Sequence, residues 1–279
     1  MDDIIAGIAK KADASFKIQD GDFERDGLIW CGRCGSPKQK RIMLSGKRTI
    51  VACMCNCEDA AYNLEIEETK QRRRMEEIER MRTNGIRIGL QDCKFEADTG
   101  KNAKQMEMAR RYVSMWDKMK ERKVGLLFWG NTGNGKTFTA ACIANALIDQ
   151  GVPTMMTSFP KMLRALHGMR PEDRSVYFNH LNAYELLVID DLGVERQTEY
   201  AKEIVYTVID QRYTLGKPVV ITTNLTLDEM REPSEMSLQR IYDRVTAMCI
   251  PVNFPAESFR DEDGKRMRDE ARALLYGGA

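Results

Sequence analysis

The chain has 279 residues, and its 43 Lys plus Arg against 42 Asp plus Glu leave a formal net charge of +1. That balance excludes a globally basic or acidic protein, so any charged binding surface has to be local. The opening MDDIIAGIAKKADASF lacks the basic-then-apolar order of a secretory signal, and apolar runs such as VGLLFW are too short to cross a bilayer. The length predicts two domains and the rest predicts a cytosolic protein with no membrane partner.

Five of the eight cysteines crowd the first part of the chain: Cys31 and Cys34 in IWCGRCGSP, then Cys53, Cys55 and Cys57 in VACMCNCE. In a reducing compartment such a cluster points to metal and not to disulfides. Between the two groups, RIMLSGKRTIVA reads as two β-rich runs about the turn Ser45-Gly46, a hairpin. A C-x-x-C knuckle, a hairpin and further cysteines make a zinc ribbon, in which four thiolates close a tetrahedral structural site. An extended strand would turn Cys53, Cys55 and Cys57 to one side, so either Cys53 with Cys55 or Cys55 with Cys57 completes the four. The set carried forward is Cys31, Cys34, Cys55 and Cys57, with Cys53 as the substitute for Cys57 and a hairpin of free thiols as the plain alternative. The two histidines, His167 and His180, lie far downstream, which leaves Cys₄ as the composition. Zn²⁺ would let a segment too small for a core fold at all. The hairpin also carries Lys38, Lys40, Arg41, Lys47 and Arg48, a possible contact for nucleic acid. Cys142 and Cys249 sit in apolar stretches and are expected in the core.

Next comes EDAAYNLEIEETKQRRRMEEIERMRTNG, dense in charge, free of proline and stopped by Asn84-Gly85, which predicts a charged helix. Residues 1–84 are therefore taken as one N-terminal region and 85–123 as a linker and helical lead-in. Over 124–262 the chain alternates: GLLFW, the helix-like TFTAACIANALIDQG, PTMMTS, the helix-like PKMLRALHGM and YELLVIDD. A helix then places Ile204, Val205, Val208 and Ile209 on one face, and KPVVITTN follows. Short apolar runs separated by helices predict parallel strands buried on both faces, an α/β fold of the doubly wound kind. Residues 263–279 are left as a tail.

WGNTGNGKT contains the pattern G-x-x-x-x-G-K-[ST], formed by Gly130, Asn131, Thr132, Gly133, Asn134, Gly135, Lys136 and Thr137. Glycines let backbone N–H groups turn inward on phosphates, and the helix that follows presents its positive end to the same anion. The expectation is ATP binding, with Lys136 on the β- and γ-phosphates and Thr137 on Mg²⁺. LLVIDDLG supplies a second strand end, where Asp190 would hold the Mg²⁺ through water and Asp191 would polarise the attacking water. Asp191 is one methylene shorter than Glu, which predicts slow hydrolysis.

The order GNTGNGKT, LLVIDDLG, VVITTN, RIYDRV and SFR resembles the AAA+ helicase loaders of the DnaC/DnaI type, and the cysteine pattern ahead of it resembles the zinc domain of phage and bacterial members. The resemblance implies an AAA+ P-loop ATPase domain with a parallel sheet flanked by helices, preceded by a small zinc-binding domain and a charged helix. It implies that Asn224 is a polar sensor near the γ-phosphate and that Arg260 closes over bound nucleotide. It also implies that Arg244 acts on ATP held by a neighbouring subunit, and hence self-assembly. The few residues given after SFR lead to the expectation of no helical lid, a compactness that the resemblance to loaders also implies. Single-stranded DNA would engage VERQTEYAKE, with Tyr200 either stacking on a base or packing under its own helix. The N-terminal region would grip a replicative hexameric helicase. The implied function is ATP-dependent loading of that helicase onto single-stranded DNA. Its rivals are a transposition-helper ATPase acting on duplex DNA, disfavoured by the zinc domain, and an ATP-bound adaptor without turnover.

Overall fold

The structure, a computed structural model, describes residues 18–44, 46–193, 198–233, 235–255 and 259–276. It divides into two compact units, Met1–Met75 and Glu76–Ala279.

The first unit holds two antiparallel hairpins. β1 (Phe23–Arg25) pairs with β2 (Leu28–Trp30) across Asp26-Gly27, both at positive φ, the conformation a two-residue hairpin turn demands. β3 (Gln39–Leu44) pairs with β4 (Lys47–Ala52) from Gln39↔Ala52 to Leu44↔Lys47. The buried residues among those described in this unit are Cys31, Ser36, Lys38 and Cys55, so the described residues build no aliphatic or aromatic core. β4 ends at Ala52, and α1 (Asn56–Gly85) begins before Cys57, with Glu58 and Asp59 in its first turn against the helix dipole. The extended strand expected through Cys57 is therefore corrected: the chain turns into a helix there. The division between the units falls inside α1. Gly85 ends that helix in the second unit, where a Cβ would stand 2.4 Å from the Thr154 carbonyl oxygen.

In the second unit, residues 85–123 contribute a 3₁₀ turn (Phe95–Ala97), α2 (Ala103–Ser114) and α3 (Trp116–Glu121). They are an integral layer rather than a linker, because Phe95, Met106, Tyr112 and Trp116 are buried in the same cluster as the helix that follows the P-loop. The chain then runs through β5 (Gly125–Trp129), α4 (Lys136–Asp149), β6 (Thr154–Ser158), α5 (Phe159–Leu166) and α6 (Pro171–Ala183). After these come β7 (Leu186–Leu192), α7 (Glu199–Leu215), β8 (Val219–Thr223), α8 (Leu227–Arg231), α9 (Met236–Met248), β9 (Cys249–Asn253) and α10 (Phe259–Tyr276). Residues 263–276, expected as a tail, belong to α10.

The five strands are all parallel in the order β6-β7-β8-β5-β9. β9 is an addition to the strands expected from sequence: CIPVN carries a proline, leaves three of its five residues exposed and serves as an edge. Alternation sends Leu126, Phe128, Val188 and Val220 to one core with α2 and α4, and Leu127, Leu187, Ile189 and Ile221 to the other with α5, α7 and α9. Each fully buried aliphatic side chain stabilises this three-layer arrangement by up to about 1.5–3 kcal/mol. Cys142 and Cys249 are buried within it. Arg212, fully buried on α7, donates to the carbonyls of Tyr184, Glu185 and Pro218 at 2.8, 2.9 and 2.7 Å and so ties the entry ends of β7 and β8 together. β5 lies between β8 and β9, a reversal of strand order that opens a crevice beyond its C-terminal end.

Candidate functional site

The P-loop occupies that crevice. Gly130, Gly133 and Gly135 have φ of 137°, 79° and 92°, so the loop curls in the left-handed region that side chains avoid. At Gly130 a Cβ would lie 2.6 Å from the Phe254 carbonyl oxygen, so only glycine fits this close backbone approach. Asn134, buried, braces the loop from two directions: its Nδ2 donates to the Phe254 carbonyl at 2.6 Å, and its own carbonyl accepts from Asn102 Nδ2 at 2.7 Å. Lys136 Nζ donates to the carbonyl of Gly130 at 2.8 Å, the carbonyl of Asn131 at 2.5 Å and Asn134 Oδ1 at 3.1 Å. Its ammonium is thus centred inside the curl where an anion's oxygens would lie. The N-terminus of α4 opens onto the same point.

Asp190 is buried at the end of β7, and its Oδ1 accepts from Thr137 Oγ1 at 2.8 Å and from Thr222 Oγ1 at 2.7 Å. Thr222 Oγ1 also accepts from the Asp191 N–H at 2.9 Å. One threonine on β8 therefore fixes both acidic residues. The β7–β8 register slips between Ile189 and Leu192, and Asp191 sits at φ 59° within that irregularity. A non-glycine residue there costs on the order of 1 kcal/mol, and the bulge turns its side chain toward the cleft. Asp191 and Asn224, the latter just past the end of β8, line a cleft of about 430 Å³ together with Thr132, Gly133, Asn134, Gly135, Lys136, Thr137, Leu90 and Phe138. Hydroxyl, carboxylate and ammonium at these positions are the donor set a nucleotide triphosphate with Mg²⁺ requires.

Arg244 is not among the lining residues. On α9 it donates from Nε to Asp210 Oδ1 at 2.6 Å and from Nη2 to the Tyr206 hydroxyl at 3.0 Å. Nη1 reaches the Arg240 carbonyl at 3.0 Å, and the guanidinium lies 4.8 Å from the Tyr206 ring centroid. Arg260 is in the first turn of α10, and its side chain lies outside the described residues. So do Val194–Gln197, the first part of the stretch expected to meet DNA. Tyr200, in the first turn of α7, has the Arg174 guanidinium 5.3 Å over its ring, and its hydroxyl is buried.

In the first unit the sulfurs of Cys31, Cys34, Cys55 and Cys57 lie within 4.8 Å of one another. Cys57 Sγ is 3.6 Å from Cys31 Sγ and 3.2 Å from Cys55 Sγ. A Zn–S bond of about 2.3 Å sets a tetrahedron edge of about 3.8 Å, so the cluster is consistent with a zinc site. Cys53 does not join it; its Sγ meets the Pro37 carbonyl at 3.5 Å. The Ser36 hydroxyl, 3.1 Å from Cys34 Sγ, leads the backbone and cysteine contacts that hold that thiol down to about 5, while burial pushes Cys55 up to about 12. Beside the cluster, buried Lys38 bridges Asp22 at 2.8 Å and Glu58 at 3.1 Å. The hydrogen bond that the Lys38 ammonium donates to the Asp22 carboxylate raises its pKa above the ordinary range despite burial.

Thr222, Asn102 and the Asp210–Tyr206 pair were not singled out from sequence. Two threonines, Thr222 and Thr223, closing an otherwise apolar strand just ahead of Asn224 are the readable signal for Thr222. Nothing local marks Asp210, which lies 34 positions before its arginine.

The family described as IstB-like ATP binding protein matches residues 58–267. The uncharacterized protein YdaV of Escherichia coli K12 is 27% identical over 199 residues, 70% of this chain and 78% of its own. The replicative helicase loader DnaC of the same organism is 27% identical over 184 residues, 63% of this chain and 73% of its own. The crystal structure of a putative primosome component from Streptococcus pyogenes superposes with a TM-score of 0.51 at 18% identity, covering 63% of this chain and 91% of that one.

Proposed function

Given that the chain belongs to the family of IstB-like ATP binding proteins, we propose that it is an ATP-dependent loader that places a replicative hexameric helicase on single-stranded DNA. The observation that carries this reading is the pairing of a P-loop cleft with an arginine kept outside that cleft on the same chain, in a homologue of a helicase loader. Lys136 and the N-terminus of α4 would bind the phosphates, and Thr137 with Asp190 would hold Mg²⁺, which supplies charge neutralisation. Asp191 would orient and deprotonate the attacking water, Asn224 would position it, and Arg244 of a neighbouring subunit would stabilise the developing charge, with Arg260 closing over the nucleotide. Zn²⁺ on Cys31, Cys34, Cys55 and Cys57 would frame the module that grips the helicase.

Sizing a mixture with the replicative helicase of the same host is the decisive experiment. A co-eluting complex is expected, and no complex at micromolar concentration would sink the loader reading. Filaments on duplex DNA in its place would favour the transposition helper. Phosphate release is expected to vanish in Lys136→Ala and in Arg244→Ala and to recover in part when the two variants are mixed, because one of the two mixed interfaces pairs the intact loop of the Arg244→Ala subunit with the intact arginine of the Lys136→Ala subunit. A wild type with no release above background leaves the adaptor.

A further inference from the structure

From Gly27 to Cys57 the chain contains no Asp or Glu and six cations, Arg33, Lys38, Lys40, Arg41, Lys47 and Arg48. Lys38 is consumed by Asp22 and Glu58. The other five are exposed, and among the described residues none of them forms an ion pair. They are not scattered. The register pairs Lys40 with Val51 and Leu44 with Lys47 on one face of the β3–β4 ribbon, and Arg41 with Ile50 and Met43 with Arg48 on the other. Each face therefore carries two cations. Met43 and Ile50, set beside the arginines of the second face, are 64% and 45% exposed.

The geometry points to this hairpin as a duplex-binding ribbon that enters a groove of double-stranded nucleic acid and meets a phosphate wall on each side. An acidic protein surface would be met by cations on one face alone, whereas a groove has two walls. The major groove, about 12 Å wide, admits a two-stranded ribbon. Lysine and arginine at the tip and along both faces would give mainly phosphate contacts, which position the protein without reading sequence. This goes beyond the loading reaction and does not depend on it: the ribbon would seat the protein on duplex, at a place other than the nucleotide cleft.

The test uses the full-length protein with a fluorescein-labelled 20-base-pair duplex in anisotropy titrations at several salt concentrations. Lys47→Gln with Arg48→Gln, one cation from each face, should lower duplex affinity at least tenfold at low salt. The slope of log K against log salt should fall by about 1.8, from about 0.9 per phosphate contact. Lys40→Gln alone should lower it by about 0.9. Zinc content and nucleotide affinity should equal those of the wild type, which shows that the variants fold. Unchanged duplex affinity and slope in a variant with full zinc content would overturn the proposal. So would loss of helicase binding with duplex affinity intact, since the ribbon would then be a protein-docking face.

Discussion

The nucleotide cleft and the cysteine cluster place chemically demanding groups by opposite means. Asp190 and Asp191 hang from a strand buried on both faces, and a threonine on the next strand donates to one and accepts from the other. Two apolar cores set that geometry before any ligand arrives. In the first unit the buried side chains among those described are two of the four clustered cysteines, a serine and an ion-paired lysine. Among the described residues of that unit no aliphatic or aromatic side chain is fully buried to hold four sulfurs together. Packing can thus make a site in one unit, while in the other the site has to make the packing.

The sharpest break of that comparison is removal of a cluster sulfur. Structural zinc sites contribute about 10–16 kcal/mol of binding that is also folding free energy. Cys55→Ser should therefore leave residues 18–57 without amide-exchange protection and release the metal to a colorimetric chelator, while exchange in β5, β7 and β8 stays slow. Cys53→Ser, whose sulfur only meets the Pro37 carbonyl, should keep the full zinc content. Equal metal loss from both variants would mean that the observed foursome is not the binding set.

In the second unit a smaller change should have a smaller and more local effect. Thr222→Val keeps shape and removes one hydroxyl, leaving buried Asp190 with one donor fewer and the Asp191 N–H without its acceptor. An unsatisfied buried group costs about 1–3 kcal/mol, so the denaturant midpoint should fall accordingly. Phosphate release should fall further than nucleotide binding, since the Lys136 contacts remain. A variant as stable and as active as the wild type would show that the two carboxylates are placed by the strand alone.

The difference between the units also decides what could be read from sequence. The sheet was legible because strands buried on both faces are short apolar runs, and the P-loop because its glycines answer a local demand for positive φ. β9 escaped because an edge strand needs neither apolarity nor alternation, and Pro251 argued against it. For the cysteines, the premise of one extended strand leaves Cys53 with Cys55 and Cys55 with Cys57 equally able to complete the four. The sulfurs meet instead because a turn at 53–55 leads into a helix, a change of direction that alternate spacing does not encode. The brace on Arg244 was invisible for a related reason: Tyr206 and Asp210 lie one helical turn apart on α7, and only the packing of α9 across α7 brings them to the arginine.

That brace suggests the smallest effect worth measuring. The Arg244–Asp210 pair is partly exposed, with the two side chains 26% and 35% accessible, so its contribution to stability is on the order of 0.5 kcal/mol. Its consequence for turnover should be larger than for folding. Three of the five guanidinium N–H groups are taken by Asp210, Tyr206 and Arg240, and the remaining two can face an incoming phosphate while the rest hold the plane still. Asp210→Asn keeps an acceptor and loses the charge, and should reduce phosphate release several-fold with nucleotide affinity and melting temperature nearly unchanged. If release rises instead, the carboxylate restrains the arginine rather than aiming it, and the nucleotide site would be less completely preformed than its loop and strands imply.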